Sequence, residues 1–242
     1  MNDLLSKVIA RHGGQDAWSK FATVEATFVS GGGFFPLKGF LADPMPRHIT
    51  VWLHEERTSI VPFGSPDKRM NFTPARVVVE TLEGAMVSER KDPLAAFKGQ
   101  QMSSPWDALN YAYFNGEALW TYFTTPFLLA SAGVEVEETA PWKEGAETWR
   151  VLRARFPSTI ATHSEIQDFF FGDDLLLRRH DYNMDLAGGF GAAQLTSDYV
   201  EVQGIRLPTK RRAHTRGPDR RPVLEMLMVR MDISGVKFNP VT

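Results

Sequence analysis

The spacing of apolar and polar positions changes character twice along the chain. Leu4, Leu5, Val8 and Ile9 recur at helical spacing, Asn2 stands at an N-cap position, and Gly13-Gly14 follows as a stop. With a short turn carrying Trp18, residues 2–20 read as a helical N-terminus. From residue 22 the period becomes two. Strands are predicted over 22–30, 34–42, 47–54, 58–63, 76–81 and 85–91, with Gly31-Gly32-Gly33 and Asp43-Pro44-Met45-Pro46 as punctuation, so 22–91 is strand-rich. A second helical region covers 104–131. Ser104-Pro105 supplies a cap and a first-turn proline, and Trp106, Leu109, Tyr113, Leu119, Trp120 and Phe123 follow. That stretch is apolar nearly all round, which predicts burial on most sides, and Asn115-Gly116 and Thr125-Pro126 are expected to bend or divide it.

The rest, 134–238, reads as a meander. Its strands are predicted at 134–140, 147–156, 162–171, 176–185, 193–203, 205–216 and 223–234. Gly172-Asp173-Asp174 and Gln203-Gly204 look like hairpin turns. Connections this short join antiparallel neighbours, because a parallel return needs about a dozen residues. The expectation is one domain over 1–242, mostly β, with a large curved antiparallel sheet that buries one face against the aromatic helix.

Composition narrows the possible partners. The 242 residues are 43% hydrophobic and 23% charged, which is ordinary globular usage. A net charge of −2 gives no global basic field, so no nucleic-acid partner is expected. The exception is a basic stretch of Lys210, Arg211, Arg212, Arg216, Arg220 and Arg221 around the turn Gly217-Pro218-Asp219. It reads either as a solvated hairpin tip or as a site for a phosphate or an acidic partner. The absence of cysteine excludes disulfides and thiolate chemistry. The N-terminus lacks a basic region followed by an apolar run, so a cytoplasmic location is expected. Residues 109–130 carry Asn110, Asn115, Glu117 and Pro126 and make a poor membrane span, so no stable membrane insertion is expected.

Signatures of catalysis are sparse. The six histidines show no ligand spacing, and His48 and His54 lie roughly 20 Å apart along one strand, so no metal is expected. The glycine triplet leads into a predicted strand and lacks a dinucleotide fingerprint, and Gly64-Ser65-Pro66 is no nucleophile elbow; no cofactor is expected.

The hairpin 162–185 is richer. Its even positions, including Ser164, Ile166, Asp168, Phe170, Arg178, His180 and Tyr182, share a face that mixes apolar and ionisable groups, and this face is the expected interior. If Gly172 pairs with Leu176, Asp168 lies opposite His180; if Phe171 pairs with Leu175, it lies opposite Arg178. The first register would build an acid–base dyad, with Asp168 orienting His180 and Tyr182 donating to an oxyanion. The second would give a plain Asp168–Arg178 ion pair. Trp106, Tyr111, Tyr113, Trp120 and Tyr122 read either as packed core or as the wall of a pocket for a flat or acyl ligand, with Arg178 beside Trp106, Tyr113 and Trp120 as binding candidates.

Two runs carry a resemblance: Thr162-His163-Ser164-Glu165-Ile166-Gln167-Asp168-Phe169-Phe170-Phe171 with Leu176-Leu177-Arg178-Arg179-His180-Asp181-Tyr182, and Asp198-Tyr199-Val200-Glu201-Val202-Gln203-Gly204-Ile205-Arg206-Leu207-Pro208-Thr209-Lys210-Arg211-Arg212. They resemble a family of bacterial proteins of about this length, a match that names a family rather than a chemistry. The strand-rich pattern with interposed helices is similar, more distantly, to the half-barrel of periplasmic lipoprotein carriers. That resemblance implies an antiparallel sheet curled around a few helices with an apolar cavity between them. The chain departs from the carriers in lacking their secretion signal, so the fold is implied and the lipoprotein cargo is not. The function expected is binding of a hydrophobic, acyl or aromatic, small molecule. The alternative is a cofactor-independent lyase or isomerase built on His180, Asp168 and Tyr182.

Overall fold

The computed structural model describes residues 2–41 and 44–241. Helix α1 (Asp3–Arg11) is capped by Asn2, whose side chain accepts from the N–H groups of Leu4 and Leu5, and it buries Leu4, Leu5, Val8 and Ile9. A single turn, α2 (Gln15–Trp18), follows. The first meander comprises β1 (Phe21–Gly31), β2 (Arg47–Trp52), β3 (Arg57–Val61), β4 (Lys68–Thr73), β5 (Arg76–Thr81) and β6 (Met86–Lys91). Each strand is hydrogen-bonded to the next. Within it α3 (Phe34–Leu37) separates β1 from β2.

Two expectations are corrected here. The segment 34–42 is not a strand: Phe34-Phe35-Pro36-Leu37 turns helically and ends at Gly39, whose φ of +87° suits glycine. Residue 42 and Asp43 of the following turn lie outside the described residues. Strand β4 was not anticipated. Its polar positions Lys68, Arg69 and Asn71 alternate with only Met70 and Phe72 inward, which hid the period.

Helix α4 (Ala108–Thr124) then carries the chain from the β6 edge to the other side of the sheet, packing on β2, β3, β4, β5 and β6. Every residue from Ala112 to Thr124 is buried, each large apolar side chain contributing roughly 1.5–3 kcal/mol. The helix begins three residues later than expected. Asp107, not Ser104, is the cap, accepting from Leu109 and Asn110, while Asn110 reaches back to the Asp107 N–H. Asn115-Gly116 does not divide it. Gly116 instead allows a close approach to β4, since a Cβ there would lie 2.2 Å from Phe72 Cγ.

The second meander is β7 (Glu135–Glu144), β8 (Glu147–Arg155), β9 (Ile166–Phe171), β10 (Leu177–Met184), β11 (Phe190–Val202), β12 (Ile205–Arg216) and β13 (Pro222–Pro240). Strand β13 returns to pair with β1, setting Phe28 opposite Ile233 and Val24 opposite Phe238. The two meanders thereby fuse into one 13-stranded antiparallel sheet with β6 and β7 as its edges. It is an open, curved half-barrel around α4, as the sequence pattern implied. No helix among the described residues is long and apolar enough to cross a membrane.

Candidate functional site

Two features stand out on the helix side of the sheet: a buried polar network, and clefts along the seam between the two meanders.

The network starts from the hairpin β9–β10. Gly172 donates to the Leu176 carbonyl, and Leu177 stands opposite Phe171, which is the start of the first expected register. A bulge then inserts Arg178, so Arg179 faces Phe170, His180 faces Phe169 and Asp181 faces Asp168. The expected dyad therefore does not form, and neither does an Asp168–Arg178 pair. Only half of the face assignment is kept. His180, Tyr182 and Met184 point inward, but in β9 it is the odd residues Gln167, Phe169 and Phe171 that join them.

Asp168 is on the outer face, held bidentately by Arg153 at 2.8 and 2.9 Å and by Arg220 at 3.0 Å. Arg178 caps the turn on Asp174 at 2.8 Å. His180 Nε2 lies 2.6 Å from the Gln167 carbonyl oxygen, and the Gln167 amide donates to Ser164 O, so Nε2 carries the hydrogen. Burial, with His163 and Arg211 nearby, holds the His180 pKa well below that of an ordinary imidazole. Burial beside Tyr122 raises the Tyr182 phenol well above its usual value.

The network continues into α4. His163 Nδ1 lies 3.0 Å from Glu117 Oε1, and its Nε2 lies 3.2 Å from the Tyr122 hydroxyl. Arg211 donates to Gln194 Oε1 and Tyr122 O, both at 2.8 Å, with its guanidinium over the Tyr122 ring. These residues are almost fully buried. Neither Glu117 nor His163 stood out in sequence as a site residue; an isolated carboxylate in an otherwise apolar helix was the available signal.

The aromatic candidates part company. Trp106 is packed core, edge-on to Phe34 and Phe97 with the Lys38 ammonium 4.5 Å from its ring. Trp120 and Tyr113 instead line two clefts. The first, of about 600 Å³, lies between α2, α4 and the β8–β9 connection; Trp18, Leu53, Trp120, Phe127, Leu128 and Ile160 supply its apolar wall. Trp18 stacks on Phe127 with ring centroids 4.1 Å apart, and Trp120 Nε1 donates to Trp52 O and Glu55 O. The second, of about 830 Å³, is lined by Tyr113, Leu94, Phe156, Ile160 and Leu186 among others. Ile160 borders both.

Glu56, missed in sequence, lies at the first cleft. Its Oε2 accepts the Ala161 N–H at 3.1 Å, and Oε1 is buried with no hydrogen-bond partner among the described residues. Burial, reinforced by the nearby Glu117, pushes its pKa up to about 8.

The basic stretch is largely neutralised. Lys210 pairs with Asp198, Arg212 with Asp232, Arg216 with Asp181, and Arg220 with Asp168. Arg179, Arg220 and Arg221 gather over Trp142 on the outer face.

No protein-family model matches the chain, and no curated protein does. Among solved structures it is similar to a LolA-superfamily protein from Nitrosomonas europaea, with 8% identity and a TM-score of 0.56 over 98% of this chain and 93% of that one. It is also similar to a DUF1329-family protein from Desulfovibrio piger, with 12% identity and a TM-score of 0.53 over 97% and 91% of the two chains. At such identities the likeness is one of fold, and it is the half-barrel of the lipoprotein-carrier type.

Proposed function

We propose that the protein binds a hydrophobic small molecule in the seam cleft between Trp18, Trp120, Phe127 and Ile160. The observation that carries this reading is the wall of that cleft: large apolar and aromatic side chains lining an open cleft of about 600 Å³, within the range that small-molecule sites occupy. The position supports it too. The cleft lies between the β2–β3 turn, α4 and the β8–β9 connection, and Ile160 of that connection borders the second cleft as well. Likeness to a LolA-superfamily protein agrees at the level of fold.

The acid–base alternative has lost its support. Its aspartate is on the opposite face, its histidine is held neutral against an amide, and both His180 and Tyr182 are closed off from solvent.

Two tryptophans in the cleft make binding directly readable. Titration with a long-chain apolar compound is expected to change their fluorescence and to give a one-to-one adduct in native mass spectrometry. Ile160→Trp, which fills the cleft, is expected to weaken binding by about tenfold or more. Failure of every acyl and aromatic probe to bind, or unchanged affinity in the filled variant, would overturn the reading.

A further inference from the structure

The cleft's polar groups say which end of a ligand it can accept. Among the described residues its lining contains no lysine or arginine. His54 Nε2 is engaged with the Phe21 carbonyl, Thr124 donates to the Trp120 carbonyl, and Gln15, Ser131 and Thr159 are exposed at its mouth. The remaining ionisable group is Glu56, whose Oε1 is buried and unpartnered while Oε2 holds the Ala161 N–H. A second buried carboxylate, Glu117, adds negative potential. The adjoining cleft repeats the pattern: Asp92, Glu135, Glu165 and Asp185 border it, and the one cation among its described lining residues, Arg155, is bound to Glu165.

An unpaired buried polar atom is costly, and a ligand able to satisfy it recovers that cost. A carboxylate ligand would meet another carboxyl group and no cation. An ammonium would have to leave water and ionise Glu56, whose neutral form burial favours.

We infer that the cleft takes an apolar molecule ending in an uncharged hydrogen-bonding group, a hydroxyl or a carbonyl, which pairs with the free carboxyl oxygen of Glu56. This rests on the binding reading above and adds the head-group class. Near neutral pH the raised pKa keeps a proton on Glu56, so it can donate to a carbonyl or hydroxyl oxygen.

The test compares heads on one tail: dodecan-1-ol, methyl dodecanoate, dodecanoate and dodecylamine, titrated at neutral pH by tryptophan fluorescence. Wild-type protein is expected to bind the alcohol and the ester about tenfold more tightly than either charged compound. Glu56→Gln, which keeps a donor and an acceptor, should retain that order. Glu56→Leu should lose most of it, because the tail still fits and the head has no partner. Equal or tighter binding of dodecanoate or dodecylamine by the wild type would overturn the head-group assignment and leave the hydrophobic site standing, as would an unchanged order in Glu56→Leu. If Glu56→Leu does not fold, the wild-type order and Glu56→Gln decide. Binding of none of the four would overturn both readings.

Discussion

Glu56 carries most of its consequences as a single residue. Its folded pKa of about 8 stands above the ordinary 4.5, so the folded state holds the proton more tightly than the unfolded chain. The associated stability is fully present below pH 4.5 and is lost as pH rises through 8. At about 1.36 kcal/mol per unit the loss is on the order of 5 kcal/mol. Glu56→Gln should therefore be clearly more stable than wild type at pH 9, with the difference fading toward pH 5, as read by denaturant melts at each pH; a constant difference would contradict this. Gln167 gives a second case. Gln167→Leu leaves the His180 Nε2–H unsatisfied in the core and should cost about 1–3 kcal/mol. At this scale the sequence was legible only in part. That His180 and Tyr182 face inward followed from the alternation of β10. Their neighbours did not follow, because the bulge at Arg178 moves Asp168 one position along and no local signal at Leu177-Arg178-Arg179 announces it.

Among the elements, α4 is the one on which both the core and the clefts depend. Its all-round apolar character, plain in the sequence, is realised as burial from Ala112 to Thr124. Its start was misplaced because Ser104-Pro105 imitates a cap that Asp107 and Asn110 provide. Gly116 lets the helix lie against β4, and Gly116→Ala would force a Cβ into Phe72. Overpacking of this kind costs about 1–3 kcal/mol, so the variant's thermal midpoint should fall; an unchanged midpoint would mean that helix and strand separate freely. The β8–β9 connection is tied at two points, by Glu56 to Ala161 and by Glu117 beside His163. Neither tie was readable from sequence, since both depend on residues brought together from far along the chain.

For the whole molecule, the decisive pairing is that of β1 with β13, which joins the first strand to the last. Short connections made each meander legible, but no turn links β1 to β13, so the fusion into a single sheet had no local signal. That pairing puts the most deeply embedded strands at the chain's two ends and leaves β6 and β7 as edges. Native-state hydrogen exchange should accordingly be slowest in β1, β12 and β13 and fastest in β6 and β7. Early exchange of β1 and β13 would indicate that the meanders open independently.

The proposed place for a hydrophobic molecule is the seam, not the buried network beneath α4. Hydrogen exchange with and without saturating dodecan-1-ol tests it most directly. Added protection is expected only at the borders of the first cleft: residues 15–18, 53–56, 120–131 and 157–162. Protection confined instead to β9, β10 and β11, or no protection at all, would contradict it.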